Sequence, residues 1–267
     1  MIPVTTGSHV GDRLRTTPAG DFDYERHGQG YAVQRRTDPR IAALVQQALG
    51  DATTVLNVGA GAGSYEPEDR YVVAVEPSPA MRAQRPPTRV PAVDATAERL
   101  PFDKGTFDAA MATITVHQWS DTEQGLRELR RVSRGPVVIL TFDGDALDLF
   151  WLAEYAPELI AVESRRYPKI DHIASLIGRT TEVTTVPIPL DCVDGFTEAY
   201  YGRPERLLDP AVRRSQSAWG FVDPTEHDQS VTRLHDDLAN GTWDTNHGHL
   251  RTQPEFLGSL RLLVGHP

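Results

Sequence analysis

The stretch Thr53-Thr54-Val55-Leu56-Asn57-Val58-Gly59-Ala60-Gly61-Ala62-Gly63 decides how this chain is read. A short apolar run with β-branched residues stops at a cluster of glycines, the pattern of a buried central strand whose end turns sharply. Glycines at that place let the backbone turn tightly and approach a ligand at the carboxyl edge of a sheet, where open α/β folds bind their ligands. The next strand candidate, Tyr71 to Val75, is followed by Glu76. An acid there accepts hydrogen bonds from both hydroxyls of a ribose. By themselves, these glycines and one acid also describe a bare structural turn.

Working outward, further strands are expected at Arg89 to Val93, Phe107 to Ala112 and Val137 to Phe142, with helices near Ser78 to Gln84 and Thr122 to Val132. Upstream, Asp38 reads as an N-cap and Pro39 as the first helical residue, with Ile41, Leu44, Val45 and Leu49 on one face and Gly50 closing the helix. Strands alternating with helices predict an α/β fold with a right-handed, doubly wound, mostly parallel sheet. Beyond Phe142, helices are expected over Asp145 to Tyr155 and Lys169 to Ile177, a strand over Glu182 to Pro187, and a last strand over Leu257 to Val264.

This pattern divides the chain into a leader with a covering helix around Tyr24 to Val33 (1–37), a core (38–189), an insertion (190–250) and a closing strand (251–267). The insertion is dense in aromatic, Pro, His and charged residues. It is expected to be mainly helical and to lie over the strand ends, because Tyr200, Tyr201, Trp219 and Phe221 need cover.

Composition narrows the classes. With 267 residues, 39% hydrophobic and 24% charged, the chain is ordinary globular material. No run approaches a membrane span, and Met1-Ile2-Pro3-Val4 does not open like a signal peptide, so a cytoplasmic protein is expected, without membrane partners. Cys192 is the only cysteine, which excludes an intrachain disulfide and a cysteine-based metal site. A net charge of −10 argues against nucleic acid as partner. The basic run Arg127, Arg130, Arg131 and Arg134 is read as a solvated helix face.

Further motifs follow in a fixed order: Ala97-Glu98-Arg99-Leu100-Pro101-Phe102, Phe107-Asp108-Ala109-Ala110, His117-Gln118-Trp119, and Leu126-Arg127-Glu128-Leu129-Arg130-Arg131-Val132. From about Thr54 to Thr141 the sequence resembles the class I, Rossmann-like S-adenosylmethionine-dependent methyltransferases grouped with the ubiquinone and menaquinone biosynthesis enzymes. The resemblance implies a seven-stranded sheet with an antiparallel last strand, S-adenosylmethionine as cofactor and a small-molecule acceptor.

It also implies that Asn57, Gly59, Ala60 and Gly61 lie by the methionine part of the cofactor and that Glu76 holds the ribose. Pro77, Ser78 and Met81 would lie beside the adenine, Thr96, Ala97 and Glu98 at its edge, and Thr113 by the methionine amine. Met81 and Leu100 equally suit ordinary core packing. The family usually carries an acid where Asn57 stands and an aspartate where Thr96 stands; both departures shorten or neutralise a contact.

Methyl transfer to an oxygen, nitrogen or carbon is an in-line displacement that asks chiefly for positioning and, where necessary, proton removal. His117, in the loop after the fourth strand, is read either as the general base or as a residue that orders the loop. Trp119, Tyr200 and His227 are expected on the substrate side, with Tyr24 and Tyr31 closing from the leader beside Arg26 and His27. His247 and His249 lack the companions of a zinc site, so no metal is expected.

Two rival functions share parts of this pattern. An NAD-dependent oxidoreductase would place its third glycine two positions further on, and Glu66, Glu68 and Asp69 would repel a pyrophosphate. A non-catalytic binding protein on the same fold is the other. Thr113-Ile114-Thr115-Val116 stands where enzymes that methylate nucleic-acid amines carry an Asn/Asp-Pro-Pro-aromatic motif.

Overall fold

A computed structural model of the chain describes residues 34–267. The leading helix read around 24–33, and with it Tyr24, Arg26, His27 and Tyr31, lies outside the described residues.

The first helix, α1 (Pro39–Ala48), starts as its sequence dictates. Asp38 is fully buried and its carboxylate accepts from Arg40 N at 3.0 Å. The same carboxylate accepts from the Arg40 guanidinium and from Val193 N at 3.2 Å, so this cap also ties the core to the insertion. Strands β1 (Thr54–Val58) and β2 (Tyr71–Val75) pair in parallel, and no helix crosses between them. After the short helix α2 (Pro79–Ala83) comes β3 (Ala92–Val93), only two residues long where five were expected. Pro91 has no N–H to give a ladder, which holds the pairing to its last two residues.

Strand β4 (Ala109–Thr113), helix α3 (Thr122–Val132) and strand β5 (Val137–Phe142) complete the parallel set. The expected helix over 145–155 is broken into a 3-10 segment, Gly144–Leu149, and α4 (Leu152–Tyr155). The break falls at Phe150, which is extended with ψ 131°. Pro157 ends α4 instead: the residue before a proline is driven out of the helical region, and Ala156 sits at φ −132°. Pro157 then opens α5 (Pro157–Arg166), a helix the sequence reading did not foresee.

Helix α6 (Ile170–Ile177) leads to β6 (Thr180–Thr185), which precedes the expected position by two residues, and to β7 (Ile188–Pro189). The insertion carries α7 (Pro210–Arg214), α8 (Pro224–Asn240) and α9 (Thr242–His247), joined by 3-10 turns. Strand β8 (Glu255–Phe256) pairs with β7, and β9 (Leu260–His266) enters the main sheet. None of the described helices is long and apolar enough to cross a membrane.

The sheet order is β3-β2-β1-β4-β5-β9-β6, with β9 antiparallel to both neighbours, as the resemblance implied. Its two faces carry separate cores. One packs Leu56, Ala110 and Ile139 against Leu126 and Leu129 of α3 and Ile173 of α6. The other packs Val55, Met111, Val138 and Leu140 with Ile41 and Val45 of α1, and extends without interruption into Tyr200, Tyr201, Trp219 and Trp243. The insertion is thus built into the second core.

Strand β9 begins three residues later than expected because its entry is pinned by a buried acid. Glu198 is 1% exposed and accepts from Ser259 N and, at 2.8 Å, from Ser259 Oγ. Burial pushes its carboxyl up to about 7, against the hydrogen bonds from Ser259. A carboxyl raised in the folded state stabilises most at low pH. Its contribution is complete below the unfolded value of 4.5 and is lost as pH rises through about 7. Glu198→Gln is therefore expected to flatten the decline in stability between pH 5 and 8 by roughly 2–3 kcal/mol. Urea unfolding of both proteins across that range measures it, and parallel profiles would remove Glu198 as the cause.

Candidate functional site

At the end of β1 the backbone turns through Gly59 and Gly61, with φ +68° and +49°. A Cβ on Gly59 would run into the Thr115 side chain, so the glycine turn and the loop after β4 touch directly. Gly61 N donates to Glu76 Oε2 at 2.8 Å, and Ser78 N donates to Glu76 Oε1 at 2.8 Å. One buried carboxylate at the end of β2 thereby holds both the glycine turn and the start of α2. Burial pushes this carboxyl up, while the two N–H donors pull it back towards the anion. Each oxygen retains a lone pair for a ligand hydroxyl.

The departure at Asn57 has a local partner. Asn57 Nδ2 donates to Glu66 Oε1 at 3.0 Å, so the loop supplies a carboxylate beside the position where the family usually has one. Glu66 in turn receives both of its 2.9 Å contacts from Arg85 Nη2; their side chains are 1% and 4% exposed. Arg85 also donates to Gly61 O at 3.2 Å. This buried ion pair braces a connection that has no helix of its own. Asn57 Oδ1 is buried with no partner among the described residues, an acceptor available to a donor such as a ligand amine.

The remaining expected cofactor residues fall along the same edge. Ala60 N continues the sheet by donating to Val75 O at 2.9 Å. Ser78 caps α2 by accepting from Met81 N, and Met81 lies so close to Gly61 that a Cβ there would come within 3.3 Å of its methyl. Pro77 separates Glu76 from Ser78 and is partly buried. Thr96, Ala97 and Glu98 follow β3, where Glu98 accepts from Ser120 Oγ and Asp121 N and so fixes the approach to α3. Thr113 ends β4. These residues fit a nucleoside with an amino-acid tail: a glycine cradle, a carboxylate for ribose and an unsatisfied acceptor at the tail end.

Past Thr113, Ile114 adopts φ +52°, a left-handed conformation that a β-branched residue rarely takes. It is held by Ile114 N donating to Leu140 O at 2.7 Å. Such strain persists where the surroundings fix it, and here it delivers the loop bearing His117. The His117 ring is 8% exposed and lies against Tyr167, centroids 4.6 Å apart. Burial, then the charges of Arg166 and Arg35, hold it well below the usual imidazole range, so the ring is neutral. Gln118 Nε2 contacts His117 Nε2 at 3.3 Å, and an amide nitrogen can only donate. The other ring nitrogen, Nδ1, has no partner among the described residues.

His117 borders a cavity of about 20 Å³ that sequence reasoning did not anticipate, because its other walls come from distant parts of the chain. Glu163 and Tyr167 reach it from the end of α5 and the residue beyond. Phe196 and Gln216 reach it from the insertion.

The other expected substrate residues lie elsewhere. Trp119 packs on α3 at Gly125, near Ala97, on the opposite face of the sheet from this cavity. Tyr200 is buried beneath Arg203 and Arg206. His227 accepts from Arg213 Nε at 3.2 Å and packs edge-on against Trp219, in an outer pocket of about 350 Å³ that shares Gln216 with the inner one. His247 contacts Glu154 at 3.2 Å.

Comparisons with known proteins meet this geometry. A family model described as a methyltransferase domain matches residues 56–139, from within β1 to within β5. The demethylmenaquinone methyltransferase of Mycolicibacterium gilvum is 36% identical over 108 residues, 38% of this chain and 47% of that protein. The ubiquinone/menaquinone biosynthesis C-methyltransferase of Geobacter sp. (strain M21) is 29% identical over 163 residues, 54% of this chain and 68% of that protein. The chain thus spans about half to two thirds of these curated relatives. A crystal structure from Anabaena variabilis, described as a candidate methyltransferase from an antibiotic biosynthesis pathway, superposes with a TM-score of 0.81 at 28% identity, over 88% of this chain and 99% of that one. Sequence agreement along the glycine edge and agreement in fold across nearly the whole of a solved relative support the same reading, a class I S-adenosylmethionine-dependent methyltransferase.

Proposed function

We propose that the chain methylates a small molecule, with residues 38–189 and 251–267 as the catalytic core and 190–250 as the acceptor-side cover. The observation that carries this reading is the Glu76 carboxylate, which joins the glycine turn to α2 and has acceptor capacity left for ribose. When bound, S-adenosylmethionine supplies a sulfonium methyl group for in-line displacement. Asn57 Oδ1 is suited to accept from the amine of its methionine tail, and Gly59, Ala60 and Gly61 give the backbone room to approach it. Thr113 belongs to the same edge. Met81 offers an apolar wall to the base, with Ala97 at its rim.

His117 marks the acceptor end. Its neutral ring, with Nδ1 unpartnered among the described residues, is placed to meet an acceptor oxygen either as hydrogen-bond donor or as general base. The aromatic lining supplied by Tyr167 and Phe196 favours an acceptor with an aromatic or apolar body. The rival oxidoreductase reading fares worse, because the buried Glu66 carboxylate lies beside the turn that a pyrophosphate would need.

Three outcomes are expected. Calorimetry should show S-adenosylhomocysteine binding to the wild-type chain and no comparable binding of NAD. Glu76→Ala should weaken the former by about 1–3 kcal/mol, through loss of charge-assisted hydrogen bonds to ribose. An unchanged dissociation constant in a folded variant removes that role. His117→Ala should leave S-adenosylhomocysteine affinity within about twofold while lowering turnover on an identified acceptor by ~10²-fold. A matching fall in cofactor affinity and melting temperature would instead make His117 a loop-ordering residue.

A further inference from the structure

The insertion holds a cation that no carboxylate around it contacts. Arg213, near the end of α7, is 8% exposed, and burial holds its guanidinium below the usual range. Its Nη1 donates to Leu207 O at 2.6 Å and its Nε to His227 Nε2 at 3.2 Å, while Nη2 makes no bond among the described residues. Two carboxylates act on its charge from further off, and both are committed elsewhere. Asp209 accepts from Ala211 N at 2.8 Å, and Asp228 Oδ1 lies 3.0 Å from His227 Nδ1.

Other enclosed guanidinium groups of this chain are fully matched. Arg35 meets Asp194 at 2.6 Å, and Arg85 meets Glu66 at 2.9 Å. Arg130, which also lacks a carboxylate among the described residues, directs both Nη1 and Nη2 at the carbonyls of Ile177, Gly265, Ser133 and Gly135. At Arg213 the donor left over borders the outer pocket of about 350 Å³. A buried charge of this kind is stabilised by a partner of opposite sign.

The rest of the lining says what that partner is. Arg214 brings a second guanidinium, exposed and in no ion pair among the described residues. The other donors are occupied: Trp219 Nε1 donates to Gln216 Oε1 at 3.0 Å, and Gln216 Nε2 to Gly195 O at 3.2 Å. A guanidinium only donates, so His227 turns its lone pair to Arg213 and its proton to Asp228. Exposed Pro210 and Gly220 beside the edge of Trp219 form an apolar wall. With a net charge of −10 the chain as a whole repels anions, so recognition here depends on direct contact. A pocket of this volume exceeds what an inorganic ion fills and suits an anion with an apolar body. A planar carboxylate matches guanidinium N–H groups better than any neutral group of the same shape.

We propose that this pocket binds an organic carboxylate, its oxygens on Arg213 Nη2 and Arg214 and its apolar body along Pro210 and Trp219. The site is separate from the cofactor edge and shares only Gln216 with the cavity at His117, so it does not depend on the methyltransferase reading.

The test titrates benzoate, benzamide and inorganic phosphate into the whole chain by calorimetry, in low-salt buffer free of other carboxylates, with S-adenosylhomocysteine titrated separately. Benzoate should bind at least about tenfold more tightly than benzamide, which has its shape without its charge, and than phosphate, which has charge without a body. Arg213→Gln should erase the preference of benzoate over benzamide and leave S-adenosylhomocysteine affinity unchanged. If that variant does not fold, Arg214→Gln, at an exposed position, should weaken benzoate at least about threefold with the melting temperature unchanged. Absent benzoate binding, equal binding of benzamide, phosphate binding as tightly as benzoate, or a preference that survives the substitutions would each overturn the proposal. So would a parallel loss of S-adenosylhomocysteine affinity in Arg213→Gln, which would make Arg213 a support of the fold. Failure of S-adenosylhomocysteine to bind the wild-type chain would overturn the cofactor reading alone.

Discussion

No side chain fits at residue 59. The turn after β1 and the loop after β4 approach so closely that Thr115 occupies the place a Cβ would take. Two strand ends that would otherwise be separate become one wall, and the elements on either side inherit their positions from it. Towards β2, the turn is fixed by its bond to Glu76. Towards β5, the loop passes through the strained Ile114 and turns His117 into the second core. Backbone contact of this kind cannot be tuned gradually, because any larger residue displaces both segments together.

Buried charge takes over where regular structure is missing. The connection from β1 to β2 has no helix to close it, and Glu66 and Arg85 perform the closing instead, with Arg89 donating to Glu66 O at 3.0 Å. The same device recurs in Asp194, which is 2% exposed and receives Arg35 Nε and the Tyr65 hydroxyl, linking the insertion to residue 35 and to the loop after the glycines. Removing one partner of such a pair leaves an uncompensated buried charge, so these contacts act as locks more than as sources of net stability.

Local grammar made much of the fold legible. Asp38-Pro39 opened its helix as read, the helix expected near Ser78 is present, and the glycine turn and Glu76 came together as spacing suggested. The same grammar stood unread at Asp209-Pro210 and at Asp223-Pro224, where α8 runs until Gly241 takes φ +82°. Aromatic density hid those signals by drawing attention to burial. Glu163 and Tyr167 carried no such signal: at the end of α5 and just beyond it they are an acid and an aromatic of no distinctive spacing, and only the approach of this segment to the β4 loop gives them His117 as a neighbour. Glu66 was read as a repellent of phosphate, not as the brace of Asn57, because a carboxylate's partner is decided by tertiary contact.

Among the described residues, both margins of the main sheet are blunted. On one side β3 offers two residues after Pro91; on the other, β6 presents Thr180, Thr181, Glu182, Thr184 and Thr185 around a single half-exposed Val183. A visiting strand would find almost no ladder to extend on the first edge and little apolar surface on the second. Strand addition between copies is thereby discouraged at both margins. Any lasting association of this fold with another chain falls to its helical and loop surfaces.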